Sequence, residues 1–319
     1  MLLSIFGLIV GLIALVWSAD RFVTFAAITA NNFGVSRMLI GLTVVSVGTS
    51  APEIFVGVIA SIDGSPTLAI GNAIGSNIAN IGLVLGITAL ITPLPFPVSI
   101  LKREVPWLII TTLLALLCLG NLYLGSLDGI LLLCGLGLIL YKLAHPGNHA
   151  SGIAPSFEDE LDDLPTLSTS SGMWRLLLSL VVLLIAAEIL TKSAVFIAYK
   201  LGVSEIIVGL TVIAIGTSLP ELAASVTAAK KGQSDMAIGN VVGSNILNIL
   251  AVLAVPALIH PISIDGIVIL RDYTTMLVLT VVLVFFAYSI GSQKKITRLE
   301  GCILVAAWVG YNSLLYHQI

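Results

Sequence analysis

Apolar residues run through this chain in long stretches, broken by short clusters of charge, proline and glycine. Ten stretches approach the roughly 20 residues that a helix needs to cross a hydrocarbon core. They lie near 2-24, 38-60, 67-92, 104-120, 126-144, 173-199, 205-229, 236-259, 271-290 and 297-317. A helix bonds its own backbone groups in lipid, and the ten-residue alternation of a transmembrane barrel is absent, so the pattern predicts helices. The fold class expected is an all-α membrane protein of ten transmembrane helices. The first stretch lacks a basic leader and a small-x-small cleavage site, so it reads as a span and not as a signal peptide.

Composition agrees with the pattern. Of 319 residues, 58% are hydrophobic and only 10% charged, with a mean hydropathy of +1.11. An ordinary soluble domain carries charge at about 25% of its positions, so a soluble enzyme, a coiled coil and a disordered chain are all poor fits. A net charge of -3 gives no reason to expect nucleic acid. Cys118, Cys134 and Cys302 fall in apolar runs and read as buried small hydrophobes, with no metal or disulfide pattern.

One connection is long. Residues 145-172 include Glu158 to Asp163, where five of six residues are acidic. It reads as a solvated linker between a first unit, 1-144, and a second, 173-319. With the N-terminus outside, 11 of the 14 basic residues fall on the inner side, among them Arg21, Arg37 and Lys231, and only Lys192, Lys200 and Arg271 fall outside. The positive-inside rule then places both termini outside and the acidic linker in the cytoplasm.

The two units repeat each other. VSRMLIGLTVVSVGTSAPEI begins at Val35 and VSEIIVGLTVIAIGTSLPEL at Val203; AIGNAIGSNIANIGLVLG begins at Ala69 and AIGNVVGSNILNILAVLA at Ala237. Both offsets are 168, and 26 of the 52 positions from Val35 to Gly86 are identical to their mates. The matched residues are largely polar or glycine, which apolar bias cannot produce. Five spans separate a span from its mate, so the copies cross in opposite directions. Such inverted repeats are typical of secondary transporters, with the site near the midplane where the copies meet.

Two motifs inside the spans carry the chemistry. In Gly48-Thr49-Ser50-Ala51-Pro52-Glu53 and Gly216-Thr217-Ser218-Leu219-Pro220-Glu221, the proline breaks the helical ladder and frees the carbonyl four residues earlier. On a helix Thr49, Ser50 and Glu53 would share a face. Carbonyls, hydroxyls and a carboxylate are the hard donors that Ca²⁺ and Na⁺ favour, with no imidazole or thiolate for a softer metal. A packed, protonated glutamate is the alternative. An intramembrane charge costs roughly 2.5 kcal/mol even on the mildest scale, and two glutamates in one repeated setting favour function.

The second motif places Asn72, Ser76 and Asn80 four apart, and Asn240, Ser244 and Asn248 likewise. Each set predicts a polar stripe on one helix face, with glycines that permit close helix approach. Asn72, Asn77, Asn240 and Asn245 could equally bond helix to helix. Asp20 and Glu188 are also 168 apart. Beside Arg21 and four residues before Lys192 respectively, they read as interfacial salt bridges.

With GTS-x-PE and GN-xx-GSNI-x-N both duplicated, the chain resembles the sodium/calcium exchanger family of the cation/calcium antiporter superfamily, in its short prokaryotic form. The resemblance spans the whole chain. It implies a ten-helix fold with ion positions between the second, third, seventh and eighth helices. Residue by residue, it implies that Glu53 and Glu221 are the central Ca²⁺ carboxylates and that Thr49, Ser50, Thr217 and Ser218 give hydroxyl and carbonyl donors. Ser46 and Ala214 match positions that offer backbone carbonyls to Na⁺, and Ser76 and Ser244 match hydroxyl ligands. Asn80 and Asn248 match the last position of the second motif, where several relatives carry Asp. This chain has Asn at both, leaving two carboxylates where those relatives carry three.

The expected function is therefore a secondary antiporter exchanging Ca²⁺ for Na⁺ by alternating access, in a prokaryotic inner membrane. A Ca²⁺/H⁺ antiporter is the first alternative and a passive cation channel the second. Neither a phosphate loop nor an HExxH motif is present, so neither ATP-driven pumping nor hydrolysis is expected, and the only expected partners are the ions and the bilayer, with no cofactor and no obligatory protein partner.

Overall fold

The computed structural model describes residues 1–96, 98–144, 167–202, 214–288 and 295–317. The first half opens with α1 (Leu2–Phe33). The second apolar stretch forms two helices, α2 (Arg37–Thr49) and α3 (Ala51–Ile62), bent by 43° at their junction. Then come α4 (Pro66–Ile91), α5 (Val98–Leu119) and α6 (Ser126–Ala144). The second half follows the same plan: α7 (Thr169–Lys200), α8 (Ala214–Thr217), α9 (Leu219–Lys230), α10 (Ser234–Ile259), α11 (Val268–Tyr288) and α12 (Arg298–His317). The seventh stretch is described only from Ala214 onward, and residues 145–166 of the acidic linker lie outside the described residues.

Length and hydropathy single out α1, α4, α7, α10, α11 and the bent α2–α3 pair as membrane spans. Helices α5, α6 and α12 have 22, 19 and 20 residues. At a rise of 1.5 Å per residue each reaches about 28–33 Å, enough for a hydrocarbon core of about 30 Å. The chain is an all-α membrane protein of two inverted five-helix repeats.

Three spans are longer than the apolar pattern predicts by five residues or more; one is α5, which starts at Val98 and not at 104. Helix α1 continues nine residues past position 24 and stops where Gly34 takes the left-handed conformation, φ 64°. Helix α7 starts at Thr169 instead of 173, because the Ser168 hydroxyl accepts the Ser171 N–H and caps it. Arg21, near the end of the first apolar stretch, therefore sits well inside a helix. It is exposed, with its guanidinium 6.0 Å from the Trp17 ring centroid. That arrangement suits an interface at which the apolar run ends while the helix goes on.

Burial sorts the helices into a centre and a flank. In the most apolar windows of α4 and α10, 78% of residues are buried, against 22% in α1 and 17% in α7. Helices α1 and α7 pair with each other outside the central group. The close approach of α2 to α10 depends on glycine: a Cβ on Gly243 would stand 2.5 Å from the Leu42 carbonyl oxygen and 2.6 Å from Ser46 Oγ. Cys118 is buried as expected, but Cys134 and Cys302 are exposed, on helix faces that lipid can cover.

Four two-residue strands report the symmetry independently. β1 (Leu94–Pro95) pairs antiparallel with β4 (Lys295–Ile296), and β2 (Tyr123–Leu124) with β3 (Ile262–Ser263). β1 and β3 are 168 residues apart, so each strand that follows a central helix pairs with a strand of the other repeat. Strands can pair only on one face of the membrane. Connections three-to-four and nine-to-ten must share a face, and so must four-to-five and eight-to-nine, as the ten-span parity requires.

Candidate ion-binding site

The site forms where the two broken helices face α4 and α10. Ser50 occupies the break between α2 and α3, at φ -83° and ψ 6°. Ser218 occupies the mate position at φ -88° and ψ 3°. The proline lies in the first turn of the following helix, Pro52 in α3 and Pro220 in α9, where a missing N–H costs nothing. Thr49, Ser50 and Glu53 thus do not share one continuous helix face. They flank a kink, which turns both the hydroxyls and the carboxylate inward.

Burial is nearly complete. Thr49, Ser50, Glu53, Ser218 and Glu221 are each no more than 1% exposed. Each glutamate stands in the first turn of its half-helix, where the helix dipole favours negative charge. Ser50 Oγ donates to Glu221 Oε1 at 3.1 Å, so one repeat's hydroxyl holds the other repeat's carboxylate.

Several buried polar atoms have no protein partner among the described residues. They include Glu53 Oε2, Glu221 Oε2, Ser218 Oγ, Ser244 Oγ and Asn248 Oδ1. Such atoms are costly unless something binds them. These five are oxygens of the hard type, fit for Ca²⁺ or Na⁺; the amide nitrogens of Asn80, Asn245 and Asn248 also lack a protein partner among the described residues. Among the described residues no group of three or more His, Cys, Asp and Glu gathers, so a bound cation would draw on two carboxylates and neutral oxygens.

The other predicted residues fall around this centre. Ser76, Asn80, Ser244 and Asn248 are buried. Asn80 and Asn248 each open a π-turn, Asn80–Leu85 and Asn248–Val252. Such wide turns recur at functional positions in helices, and the apolar pattern carries no sign of them. Ser46 is buried, but its hydroxyl bonds locally to the Leu42 carbonyl at 2.7 Å. Its carbonyl accepts the Ser50 N–H at 2.9 Å and the Thr49 hydroxyl at 3.5 Å, so a cation there would have to draw the Thr49 hydroxyl away. Thr217 closes α8 and is half-buried; Ala214 opens α8, and its side chain is outside the description.

The four asparagines divide into two kinds. Asn72 Nδ2 donates to the Glu53 carbonyl at 3.1 Å, and its mate Asn240 Nδ2 donates to the Glu221 carbonyl at 3.4 Å. Both brace the backbone of a site glutamate. Asn240 also accepts from Thr49 Oγ1 at 3.2 Å and donates to Ser225 Oγ at 3.0 Å. It therefore ties the break of the first repeat to that of the second. Asn77 Nδ2 turns back to the Ala73 carbonyl at 2.7 Å, whereas both amide atoms of Asn245 stay without a protein partner among the described residues. The sequence did not point to Ser225, because its mate is Gly57 and the repeat carries no shared signal there.

Comparison with known proteins gives a family and a fold. Residues 3–143 and 171–317 match the family described as sodium/calcium exchanger protein. The chain is 45% identical over 318 residues to the proposed antiporter CaxA of Alkalimonas amylolytica, covering 99% of each chain. It is 38% identical to the inner membrane protein YrbG of Escherichia coli, covering 99% of this chain and 98% of that one. A solved structure of the sodium-calcium exchanger NCX_Mj superposes with a TM-score of 0.84 at 32% identity, covering 98% of this chain and 99% of that chain.

Proposed function

Because the chain belongs to the sodium/calcium exchanger family, we propose that it is an antiporter exchanging Ca²⁺ for Na⁺ at the buried site between α2–α3, α4, α8–α9 and α10. The observation that carries the proposal is the pair Glu53 and Glu221, each at a helix break, each buried, and each with one carboxylate oxygen left without a protein partner among the described residues. Ca²⁺ would take those two carboxylates and complete its roughly 6–8 oxygens from hydroxyls and carbonyls of Thr49, Ser50, Thr217 and Ser218, while Ser76, Ser244, Asn80 and Asn248 and the carbonyls of Ser46 and Ala214 would serve the neighbouring ion positions, the last two for Na⁺. Na⁺ would take overlapping oxygens. Mutual exclusion at one site couples the two flows: access to the fixed site switches sides only when it is loaded with one cation type or the other.

Alternating access follows from the inverted repeats, which can exchange conformations around a site on their pseudo-twofold. The bias of basic residues supports both termini outside, and the relative YrbG is named an inner membrane protein. The experiment is Ca²⁺ uptake into vesicles holding purified protein, driven first by an outward Na⁺ gradient and then by a pH gradient. Uptake that follows Na⁺ supports the reading. Uptake that follows only the pH gradient replaces Na⁺ by H⁺ as the counter-ion.

A further inference from the structure

Lys231 is held by one turn of α1. Its Nζ lies 2.7 Å from Asp20 Oδ1, 3.1 Å from the Asp20 carbonyl oxygen and 2.6 Å from Thr24 Oγ1. Lys231 itself is the residue that ends α9, and α1 packs along α9. These contacts clamp the flanking helix over one end of the broken seventh span.

Shifting each of the three positions by 168 gives the mate set. Asp20 corresponds to Glu188, Thr24 to Lys192, and Lys231 to Asp63. The backbone equivalence holds in the structure. Asp63 ends α3 at φ -75°, ψ 5°, and Lys231 ends α9 at φ -86°, ψ 12°. Each is followed by a left-handed glycine, Gly64 at φ 75° and Gly232 at φ 73°. The charges differ. In the first set the helix gives an acid and a hydroxyl, and the helix end gives the base. In the mate set the helix gives an acid and a base, and the helix end gives the acid.

The mate set is apart. Helix α7 makes no packing along α3 comparable to that of α1 along α9. Lys192 Nζ instead lies 2.9 Å from Glu188 Oε1, one turn back on its own helix, and both side chains are largely exposed. A pair within one helix at that exposure holds weakly. Among the described residues, α1 is therefore clamped to α9 at the face of Asp20 and Lys231, and α7 is not clamped to α3 at the face of Asp63 and Lys192.

We propose that Lys192 is a switching residue: it rests on Glu188 while its face is open and transfers to Asp63 when α7 closes over α3, as Lys231 is now held by Asp20. The two pairs, Asp20–Lys231 and Asp63–Lys192, alternate as latches of opposite polarity on opposite faces. Thr24 marks the place that Lys192 takes in the exchanged state, since its Oγ1 already touches the opposing helix end. The inference rests on the alternating-access reading.

Two cysteine pairs test it in full-length protein reconstituted in vesicles, with Cys118, Cys134 and Cys302 replaced by Ala. D20C/K231C should form a disulfide on oxidation in ion-free vesicles, and exchange should be lost until a reductant restores it. D63C/K192C should crosslink slowly in ion-free vesicles and several-fold faster with Na⁺ and Ca²⁺ on opposite sides, again arresting exchange. Crosslinking of D20C/K231C but not of D63C/K192C during turnover overturns the proposal. Exchange by the reduced D20C/K231C variant reports the antiport reading separately, before oxidant is added. As a second measurement, D63A, K192A and D63A/K192A should slow turnover to the same extent without changing Ca²⁺ affinity. Effects that multiply in the double variant contradict a shared latch.

Discussion

Replacing Asn240 by Ala should weaken the site far more than replacing its mate Asn72, although the two stand in the same motif. Asn72 gives one bond, to the Glu53 carbonyl, from a half-buried position. Its loss leaves a carbonyl that water or a neighbour can serve, a cost of about 1 kcal/mol. Asn240 is buried and bonds three groups: the Glu221 carbonyl, Ser225 Oγ and Thr49 Oγ1. Removing it strands buried polar groups in both repeats. At about 1–3 kcal/mol per stranded group, with partial relaxation among them, roughly 2–4 kcal/mol is expected. If that appears as binding, it is about 30-fold to nearly 1,000-fold in Ca²⁺ affinity, against about 5-fold for N72A.

The assay is Ca²⁺ binding to purified protein by calorimetry, paired with exchange rates in vesicles. A bracing residue should raise the half-saturating Ca²⁺ concentration more than it lowers the saturated rate. N240D keeps an acceptor for Thr49 but sets a buried carboxylate oxygen against the Glu221 carbonyl oxygen, so it should lose at least as much affinity as N240A in a folded protein. Equal losses in N72A and N240A would refute the asymmetry, and unchanged affinity in N240A would refute the bracing role.

Other expectations follow from single contacts. G243A should abolish exchange or lower the melting temperature sharply, because its Cβ would meet the Leu42 carbonyl at 2.5 Å and backbone cannot yield as a side chain can; a thermal shift assay on the detergent-solubilised protein reads this. E53Q and E221Q should each abolish Ca²⁺-driven exchange while the protein still folds, as checked by size-exclusion profile and helicity. R271A should destabilise by about 1–3 kcal/mol, since Arg271 holds the Asp272 carboxylate at 2.6 and 3.0 Å and Tyr311 adds only one bond. R271A/D272N should recover much of that loss in the same thermal assay, because no charge is then stranded.

The duplicated motifs made the centre of this protein legible before any coordinates. Membrane-depth polar residues are rare, so a repeated GTS-x-PE could not be chance, and the structure puts both copies at helix breaks. The span pattern was legible for the same reason, since lipid admits few alternatives to a helix. The polar stripe Asn72-Ser76-Asn80 was only half legible: its register is that of a helix, but Asn72 turns to a carbonyl of another element. Asn240 bridges 191 residues to Thr49, and no local pattern encodes such a bond. Likewise, Asp20 was expected to use Arg21, its neighbour. It pairs instead with Lys231, because packing of α1 on α9 brings that ammonium within reach. The C-terminal end of α1 and the N-terminal ends of α5 and α7 lie beyond the apolar stretches because a helix can leave the membrane without breaking, and hydropathy marks the interface and not the helix end.

The central claim is coupled, opposed movement of two cations through one site. It is tested most directly by measuring both fluxes at once, in vesicles loaded with Na⁺ and holding equal Ca²⁺ inside and out. The account predicts that diluting external Na⁺ drives Ca²⁺ inward above its outside concentration while Na⁺ leaves, and that E53Q/E221Q stops both flows together. Ca²⁺ that never exceeds its outside concentration, or Na⁺ that leaves at the same rate without Ca²⁺, would contradict it.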